Sequence, residues 1–224
     1  ILKDYAGEMV TLDQIDGDFC RGYITYLLTE YHPKGKDISN YTLHNYYRAL
    51  NGALNSAVRK KKMKANPFNE LEKSEKIRKP ESMRSYMTIE EVQALIDTPM
   101  PHEEYEIVKC AYLFSCFCGL RISDIIKLKW NDVFVDRGQY RLAVSMKKTK
   151  EPIYLPLSPE ALKWMPERGG KSSEDNVFDL PSANTIRMQL KPWAKAAGIS
   201  KRFSYHTSRH TFATMMLTLG ADRK

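Results

Sequence analysis

A chain of 224 residues is long enough to bury a sizeable core as one or two domains. Its hydrophobic content of 42% and charged content of 28% are typical of a globular protein, and no apolar run is long enough to cross a membrane as a helix. The formal net charge of +8 favours an anionic partner, above all nucleic acid, although a basic protein without such a partner has the same charge.

The termini and the cysteines predict the cellular setting. No secretory signal pattern is present, and the chain begins at Ile1 without a methionine, which indicates a piece of a longer protein. The four cysteines form no Cys-x-x-Cys pair, so reduced cysteines in the core are expected rather than a zinc site. We therefore predict a cytoplasmic protein with no metal and no cofactor.

Two amphipathic helices are predicted before Pro67. The first begins near Thr11, and the second is capped by Ser39 or Asn40 and ends before Asn66. Residues 69–85 are charged and nearly free of large apolar groups, as linkers are. These features predict three segments, namely a helical domain at 1–78, a linker at 79–87 and a larger domain at 88–224.

The second of these helices has a polar side and a basic end. Such a surface is either an ordinary solvated helix whose cations complement the macrodipole, or a surface that contacts DNA in a groove and along its phosphates. The candidate DNA-binding residues there are Asn45, Arg48, Asn55, Arg59, Lys60, Lys61 and Lys62.

The larger domain alternates helix and strand signals. Thr88 and Glu91 form a capping box before a helix that runs to Asp97, and the apolar run 105–118 predicts a buried helix ended by Gly119. A short helix starting at Arg121, strands at 132–136, 139–146 and 152–157, and helices at 182–197 and 206–219 follow. The predicted fold class is α+β, mainly α, with a three-stranded antiparallel sheet.

The last predicted helix carries a cluster of polar side chains. His206, Arg209 and His210 are spaced i, i+3 and i+4, so they share one helix face. A fixed cation beside two groups that exchange protons near neutral pH suits a phosphate. A histidine and an arginine at this spacing are also common as capping or packing residues.

Three motifs occur in a recognisable order. They are Cys118-Gly119-Leu120-Arg121-Ile122-Ser123-Asp124, then Lys148-Thr149 in a predicted β-turn, then His206-Thr207-Ser208-Arg209-His210-Thr211-Phe212-Ala213-Thr214. Together they closely resemble the tyrosine recombinase (phage integrase) family, in which a small helical core-binding (SAM-like) domain precedes a mixed catalytic domain. Residues 41–67 resemble the core-binding domain more weakly, and Ser208 stands where the family more often has leucine.

The resemblance implies a reaction and assigns roles. The family cleaves double-stranded DNA through a 3′-phosphotyrosyl link and rejoins it without a metal. By resemblance, Arg121 and Arg209 clamp the phosphate, Lys148 is the general acid, and His206 assists proton transfer. Asp124 and His210 support this site. Lys147 is the rival of Lys148, because neighbours on a strand point to opposite faces, and Lys147 and Lys150 are further candidates for DNA contact.

Two family elements have no match in this sequence. The family has a further His or Trp after Arg209 and then the nucleophilic tyrosine, whereas this chain stops at Lys224 and none of its tyrosines matches that position. Tyr205 adjoins His206 but precedes the predicted helix, so we do not assign it this role. Delivery by a neighbouring protomer would still require the tyrosine in each chain. We expect the chain to be truncated, monomeric, and able to bind DNA without cleaving it.

Other functions stay open at this point. A regulator that kept the fold would bind DNA without catalysis, although a binder needs cations rather than this particular set of residues. A metal-dependent nuclease is disfavoured, because the sequence shows no ligand cluster with suitable spacing. Full-length family members act as tetramers, and the role of this chain could be mobile-element integration or excision, inversion, or chromosome-dimer resolution.

Overall fold

The computed structural model describes residues 1–81, 84–145 and 152–221. They fall into two compact units divided near residue 82, unit 1 before that point and unit 2 after it. In the part of the chain that is described, none of the helices combines the length and apolar character that crossing a membrane requires.

Unit 1 is helical, with helices α1 (Leu2–Ala6), α2 (Gly17–Thr29) and α3 (Asn40–Arg59). The side chain of Asp16 caps α2 by accepting from the amide of Phe19 at 2.8 Å, and Ser39 caps α3. The predicted helix start at Thr11 is wrong for the long helix. Thr11 precedes a single 3-10 turn, and Ile15 is extended, so the chain starts a new helix at Gly17.

The charged segment after residue 69 contributes to unit 1. Leu71 is only 3% exposed among the side chains of α2 and α3, and Ile77 packs against the same core. Arg21 on α2 forms an ion pair with Glu75 at 2.8 Å. The first part of the region that we interpreted as linker-like by composition is therefore packed on the helices, because Leu71 and Ile77 both contact their core.

Unit 2 contains six helices and three strands within its described residues. They are α4 (Ile89–Asp97), α5 (Glu106–Cys118), α6 (Ile122–Ile125), β1 (Val133–Asp136), β2 (Gln139–Ser145), β3 (Pro152–Pro156), α7 (Pro159–Lys163), α8 (Ala183–Ala196) and α9 (Tyr205–Thr218). The capping box before α4 is confirmed, with the Glu91 carboxylate accepting from the Thr88 amide at 2.7 Å. Tyr205 is the first residue of α9, so our placement of Tyr205 before the helix is wrong.

The strands form an antiparallel meander in the order β1-β2-β3, as predicted. Leu142 is the cross-strand partner of both Val133 and Leu155, and it is fully buried against the helices. Arg137 and Gly138 both have positive φ, as a tight turn that matches the strand twist requires. The α+β fold class, mainly α, is confirmed.

Helix α5 is the centre of the core of unit 2. Its Tyr112 and Phe114 are fully buried, and it packs against α7, α8 and α9. The four cysteines are free thiols, and three of them are buried, as we expected of core cysteines. Burial raises the pKa of Cys20 to about 11 and that of Cys118 to about 12. This central helix fixes where the next turn, which carries Arg121, meets α9.

Candidate active site

The turn between α5 and α6 places Arg121 beside α9. Gly119 ends α5 with φ of 71°, in the left-handed region. A Cβ atom at this position would lie 2.8 Å from Cε1 of Phe212 on α9, with another ring atom still closer. The glycine thus permits both the turn and the close approach of α9. Arg121 follows as the exposed N-cap residue of α6.

Asp124 organises the start of α6. Its carboxylate accepts from the backbone amide of Arg121 at 3.4 Å and from the hydroxyl of Ser123 at 3.0 Å. It also lines a cavity of about 280 Å³ between α6 and β2. Its carboxylate therefore fixes the backbone that carries Arg121.

Helix α9 has a buried side and a site side. On the buried side, the hydroxyl of Tyr205 donates to the carbonyl of Ala111 at 2.7 Å, and that of Ser208 donates to the carbonyl of Tyr205 at 2.6 Å. Ser208 is a small polar residue in a buried position, and this bond satisfies its hydroxyl. On the other side, His206 is exposed, and Arg209 and His210 are partly buried.

Arg209 links α9 to the α5–α6 turn. Its guanidinium donates to the carbonyl of Gly119. Burial lowers the pKa of Arg209, the nearby positive charge of Arg121 lowers it further, and the carboxylate of Asp124 opposes both. The two predicted clamp arginines are thus brought within electrostatic reach of each other, although they lie 88 positions apart in the sequence.

The arginine pair has no described counterion in direct contact. Among the described residues, no carboxylate lies within the 4.0 Å of an ion pair from either Arg121 or Arg209, whereas exposed pairs such as Lys129 with Glu174 do form, at 2.8 Å. Two cations held together without a direct partner repel each other. Such an arrangement is stabilised when an anion binds between them.

The histidines extend the positive surface along α9. The rings of His206 and His210 meet edge to face, with centroids 4.6 Å apart. Burial lowers the pKa of His210, and the charges of His206, Arg84 and Arg209 lower it further. The neutral form of His210 is therefore favoured. Sequence reasoning missed Arg84, because it lies in a segment whose charges looked like those of a linker.

Three of the predicted site residues are lysines of the predicted β-turn. Lys147, Lys148 and Lys150 lie outside the described residues, so the general acid stays a prediction. Strands β2 and β3 are paired up to Ser145 and Pro152.

The α3 candidates lie in unit 1. Asn45, Arg48, Asn55, Arg59, Lys60, Lys61 and Lys62 are all exposed. Asn55 also has an internal task, because its side-chain oxygen accepts from the amide group of Asn66, which is buried, at 2.7 Å. The other six are free of described ion pairs and hydrogen bonds of their side chains, as groups that contact a ligand would be.

Replacing Gly119 with alanine is expected to lower the free energy of unfolding by about 2–5 kcal/mol, from left-handed strain plus overpacking against Phe212. Gly198→Ala is the matched control, because Gly198 also has positive φ but has open space around its Cβ position. The control should lose only about 1–2 kcal/mol of strain energy. Urea unfolding of both variants measures the difference, and equal losses would contradict the close approach of α9.

The lowered pKa of His210 predicts a pH dependence of stability. The unfolded chain takes up this proton near the ordinary value of 6.5, before the folded chain does. The contribution of His210 is therefore present above that value and is lost as the pH falls through the lower folded pKa. Urea unfolding at about pH 7.5 and about pH 5.5 should show wild type losing more stability than His210→Gln.

The exposed His102 provides the control for that experiment. His102→Gln removes a histidine elsewhere in unit 2, outside the cluster on α9. If His210→Gln and wild type lose stability equally over this pH range, the lowered pKa of His210 does not cause the pH dependence of stability.

Family models match both units. Residues 85–224 match a model described as the phage integrase family, and residues 1–89 match one described as the phage integrase SAM-like domain. Tyrosine recombinase XerD of Vibrio vulnificus (strain YJ016) is 30% identical over 158 residues, which cover 64% of this chain and 51% of that protein. The chain thus spans about half the length of this curated relative.

Solved structures share the fold. The Tn1549 transposon integrase in complex with circular intermediate DNA has a TM-score of 0.70 and 17% identity, covering 99% of this chain and 78% of that one. The lambda integrase tetramer bound to a Holliday junction has a TM-score of 0.59 and 19% identity, covering 94% and 62%. At such identities the likeness concerns the fold, and the chemistry depends on the residues described above.

Proposed function

Since the chain belongs to the phage integrase family, we propose that it is the DNA-binding and phosphate-activating part of a tyrosine-type site-specific recombinase. Its substrate is a phosphodiester of double-stranded DNA. The observation that carries this proposal is the approach of Arg121 to Arg209 with no described carboxylate within ion-pair distance of either.

The chemistry is a phosphoryl transfer that the two arginines activate. The hydroxyl oxygen of a tyrosine attacks the phosphorus and gives its proton to a base. The bond to the 5′-oxygen breaks, and the leaving oxygen takes a proton. Arg121 and Arg209 each bind non-bridging oxygens and stabilise the negative charge of the transition state. A guanidinium is a very weak acid, so Arg209 stays protonated throughout even though burial lowers its pKa. The reverse reaction joins a new 5′-hydroxyl.

The proton carriers are assigned by resemblance to the family. Lys148 is the general acid that protonates the 5′-oxygen, and Lys147 is its rival. His206 is exposed on the site face of α9, where its ring can bond the phosphate or relay a proton. Asp124 holds the start of α6 through the amide of Arg121, and His210 supports the ring of His206.

Tyr205, which adjoins His206 on α9, is not proposed as the nucleophile. Tyr205 is 8% exposed, its hydroxyl is bonded to the carbonyl of Ala111, and burial raises its pKa far above the ordinary value. We therefore propose that this chain binds DNA as a monomer without cleaving it.

Partners and role follow from the same premise. Exposed cations on and after α3 are proposed to contact DNA phosphates, so binding is expected to weaken with salt. The natural protein is proposed to be cytoplasmic and to assemble as a tetramer on paired sites, as the lambda integrase does on a Holliday junction. Integration or excision of a mobile element is the proposed role, in keeping with the transposon integrase of similar fold.

A strand-joining assay tests the chemistry without a tyrosine from this chain. The substrate is a nicked duplex with a 3′-phosphate esterified to p-nitrophenol on one side and a free 5′-hydroxyl on the other. The 5′-oxygen attacks the phosphorus, the aryl ester bond breaks, p-nitrophenolate leaves, and the hydroxyl proton passes to a base. The chain is expected to accelerate the release of p-nitrophenolate together with formation of the joined strand.

Two variants sharpen this assay. Arg209→Lys keeps the positive charge but loses the planar guanidinium, whose N–H donors can bind two phosphate oxygens at once. Joining should therefore fall strongly, while DNA binding falls less. Arg187→Lys on the exposed side of α8 is the matched control and should join like wild type. Binding without any acceleration would contradict the enzyme assignment and favour a DNA-binding regulator that retains the fold.

A further inference from the structure

A short segment before α4 is fastened to the site helix. The lead-in segment, residues 84–88, is tied to α9 by a hydrogen bond from the amide of Met87 to the hydroxyl of Thr211, at 2.9 Å. This bond is buried, and Thr211 is the residue directly after His210. The segment therefore passes along α9 one residue from the histidine pair.

Lys201 provides a second attachment of the lead-in segment. Its ammonium group donates to the carbonyl of Tyr86 at 2.6 Å and lies 5.6 Å from the centre of the Tyr86 ring. The same group forms an ion pair with Glu91, at 2.5 Å, and Glu91 caps α4. The two attachments hold Tyr86 and Met87, which follow the exposed Arg84 by two and three residues, and the charge of Arg84 acts on His210 of α9.

We propose that Arg84 binds the DNA phosphate next to the one held by Arg121 and Arg209, on the same strand. This inference rests on the proposed function and deepens it, because it adds a second phosphate contact to the site. A site with this second contact binds a polymer with successive phosphates rather than a molecule with a single phosphate group.

The charge distribution supports a contact with more than one phosphate. Positive groups follow one another from Arg121 through Arg209 and His210 to Arg84, each within electrostatic reach of the next. Within this row, the carboxylate of Asp124 raises the pKa of Arg209 and so partly offsets the surrounding positive charge. A DNA strand presents one negative charge about every 3.4 Å along the helix axis, which matches an extended row of cations.

Arg84 has no competing structural task among the described contacts. It forms no ion pair with a described carboxylate, and its side chain makes no described hydrogen bond. An exposed arginine of this kind contributes little to the free energy of unfolding. Its replacement is therefore expected to leave stability unchanged, so that an effect on binding can be attributed to the ligand.

The salt dependence of DNA affinity tests the proposal. A short duplex is titrated with the chain at several salt concentrations, because each phosphate contact adds about 0.9 to the slope of log affinity against log salt. Arg84→Ala should reduce the slope by about 1, and Arg84→Lys should keep it. Arg187→Ala is the matched control and should keep the wild-type slope.

The double variant distinguishes one shared phosphate from two. If Arg84 and Arg209 bind different phosphates, Arg84→Ala with Arg209→Ala should reduce the slope by about 2, the sum of the single changes. A double variant no worse than Arg209→Ala alone would overturn the assignment to a separate phosphate. A slope for Arg84→Ala equal to that of Arg187→Ala would overturn the contact itself.

The two proposals can fail separately. Binding of wild type that does not depend on salt would contradict the proposed function. Salt-dependent binding that Arg209→Ala weakens and Arg84→Ala leaves unchanged would refute only the role of Arg84.

Discussion

Replacing Arg121 with glutamine is expected to weaken binding to duplex DNA roughly 10- to 150-fold, the value of one charged hydrogen-bonded contact of about 1.5–3 kcal/mol. The same change should raise the free energy of unfolding by up to about 0.5 kcal/mol. Arg121 is exposed and has no described ion pair, and its charge opposes that of Arg209, so its removal relieves repulsion at no loss of packing.

Opposite changes in stability and function would identify a binding site that is strained without its ligand. Titration of DNA and urea unfolding of the same protein samples measure the two effects. Arg187→Gln controls for the loss of an exposed arginine elsewhere in unit 2. A variant that binds DNA as wild type does, or that is clearly less stable, would show that Arg121 serves the fold instead.

The second large effect concerns covalent chemistry. A suicide substrate, in which a nick next to the cleavage position lets the 5′-strand diffuse away, traps any phosphotyrosyl adduct. The chain is expected to shift this DNA in a native gel and to form no adduct that survives denaturation. The reason is that Tyr205, which adjoins His206 on α9, is buried and its hydroxyl donates to the carbonyl of Ala111.

Tyr205→Phe separates a structural role from a catalytic one. Loss of its two bonds, with Ala111 and Ser115, should lower the free energy of unfolding by about 1–3 kcal/mol, at about 0.5–1.5 kcal/mol for each buried hydrogen bond. The folded variant should bind DNA with the wild-type affinity. An adduct formed by wild type and absent from Tyr205→Phe would instead make this residue the nucleophile and overturn our assignment.

Local signals were enough to predict much of unit 2. The capping box at Thr88, the glycine that ends α5, and the alternating strands each depend on a few neighbouring residues, and each lies where it was predicted. The helical face of His206, Arg209 and His210 follows from periodicity alone. The approach of these residues to Arg121 was expected from the family resemblance, because no local pattern specifies a contact across 88 positions.

The features that could not be predicted depend on distant contacts. The hydroxyl of Thr211 accepts from an amide 124 positions earlier, and Lys201 donates to a carbonyl 115 positions earlier. No local pattern near Arg84 therefore indicated that its segment contacts α9. The start of α2 was predicted too early, because the cap at Thr11 is real but closes only one turn before the extended Ile15. Composition likewise gave no sign that the segment after residue 69 packs on unit 1 through Leu71 and Ile77.

The central claim is that Arg121 and Arg209 hold one DNA phosphate between them. The most direct measurement is the distance from their guanidinium nitrogens to phosphate oxygens in a crystal structure of the chain bound to duplex DNA. We predict that both arginines lie about 2.7–2.9 Å from oxygens of the same phosphate. A complex in which the DNA contacts other surfaces, or in which the two arginines bind protein carboxylates instead, would contradict this account.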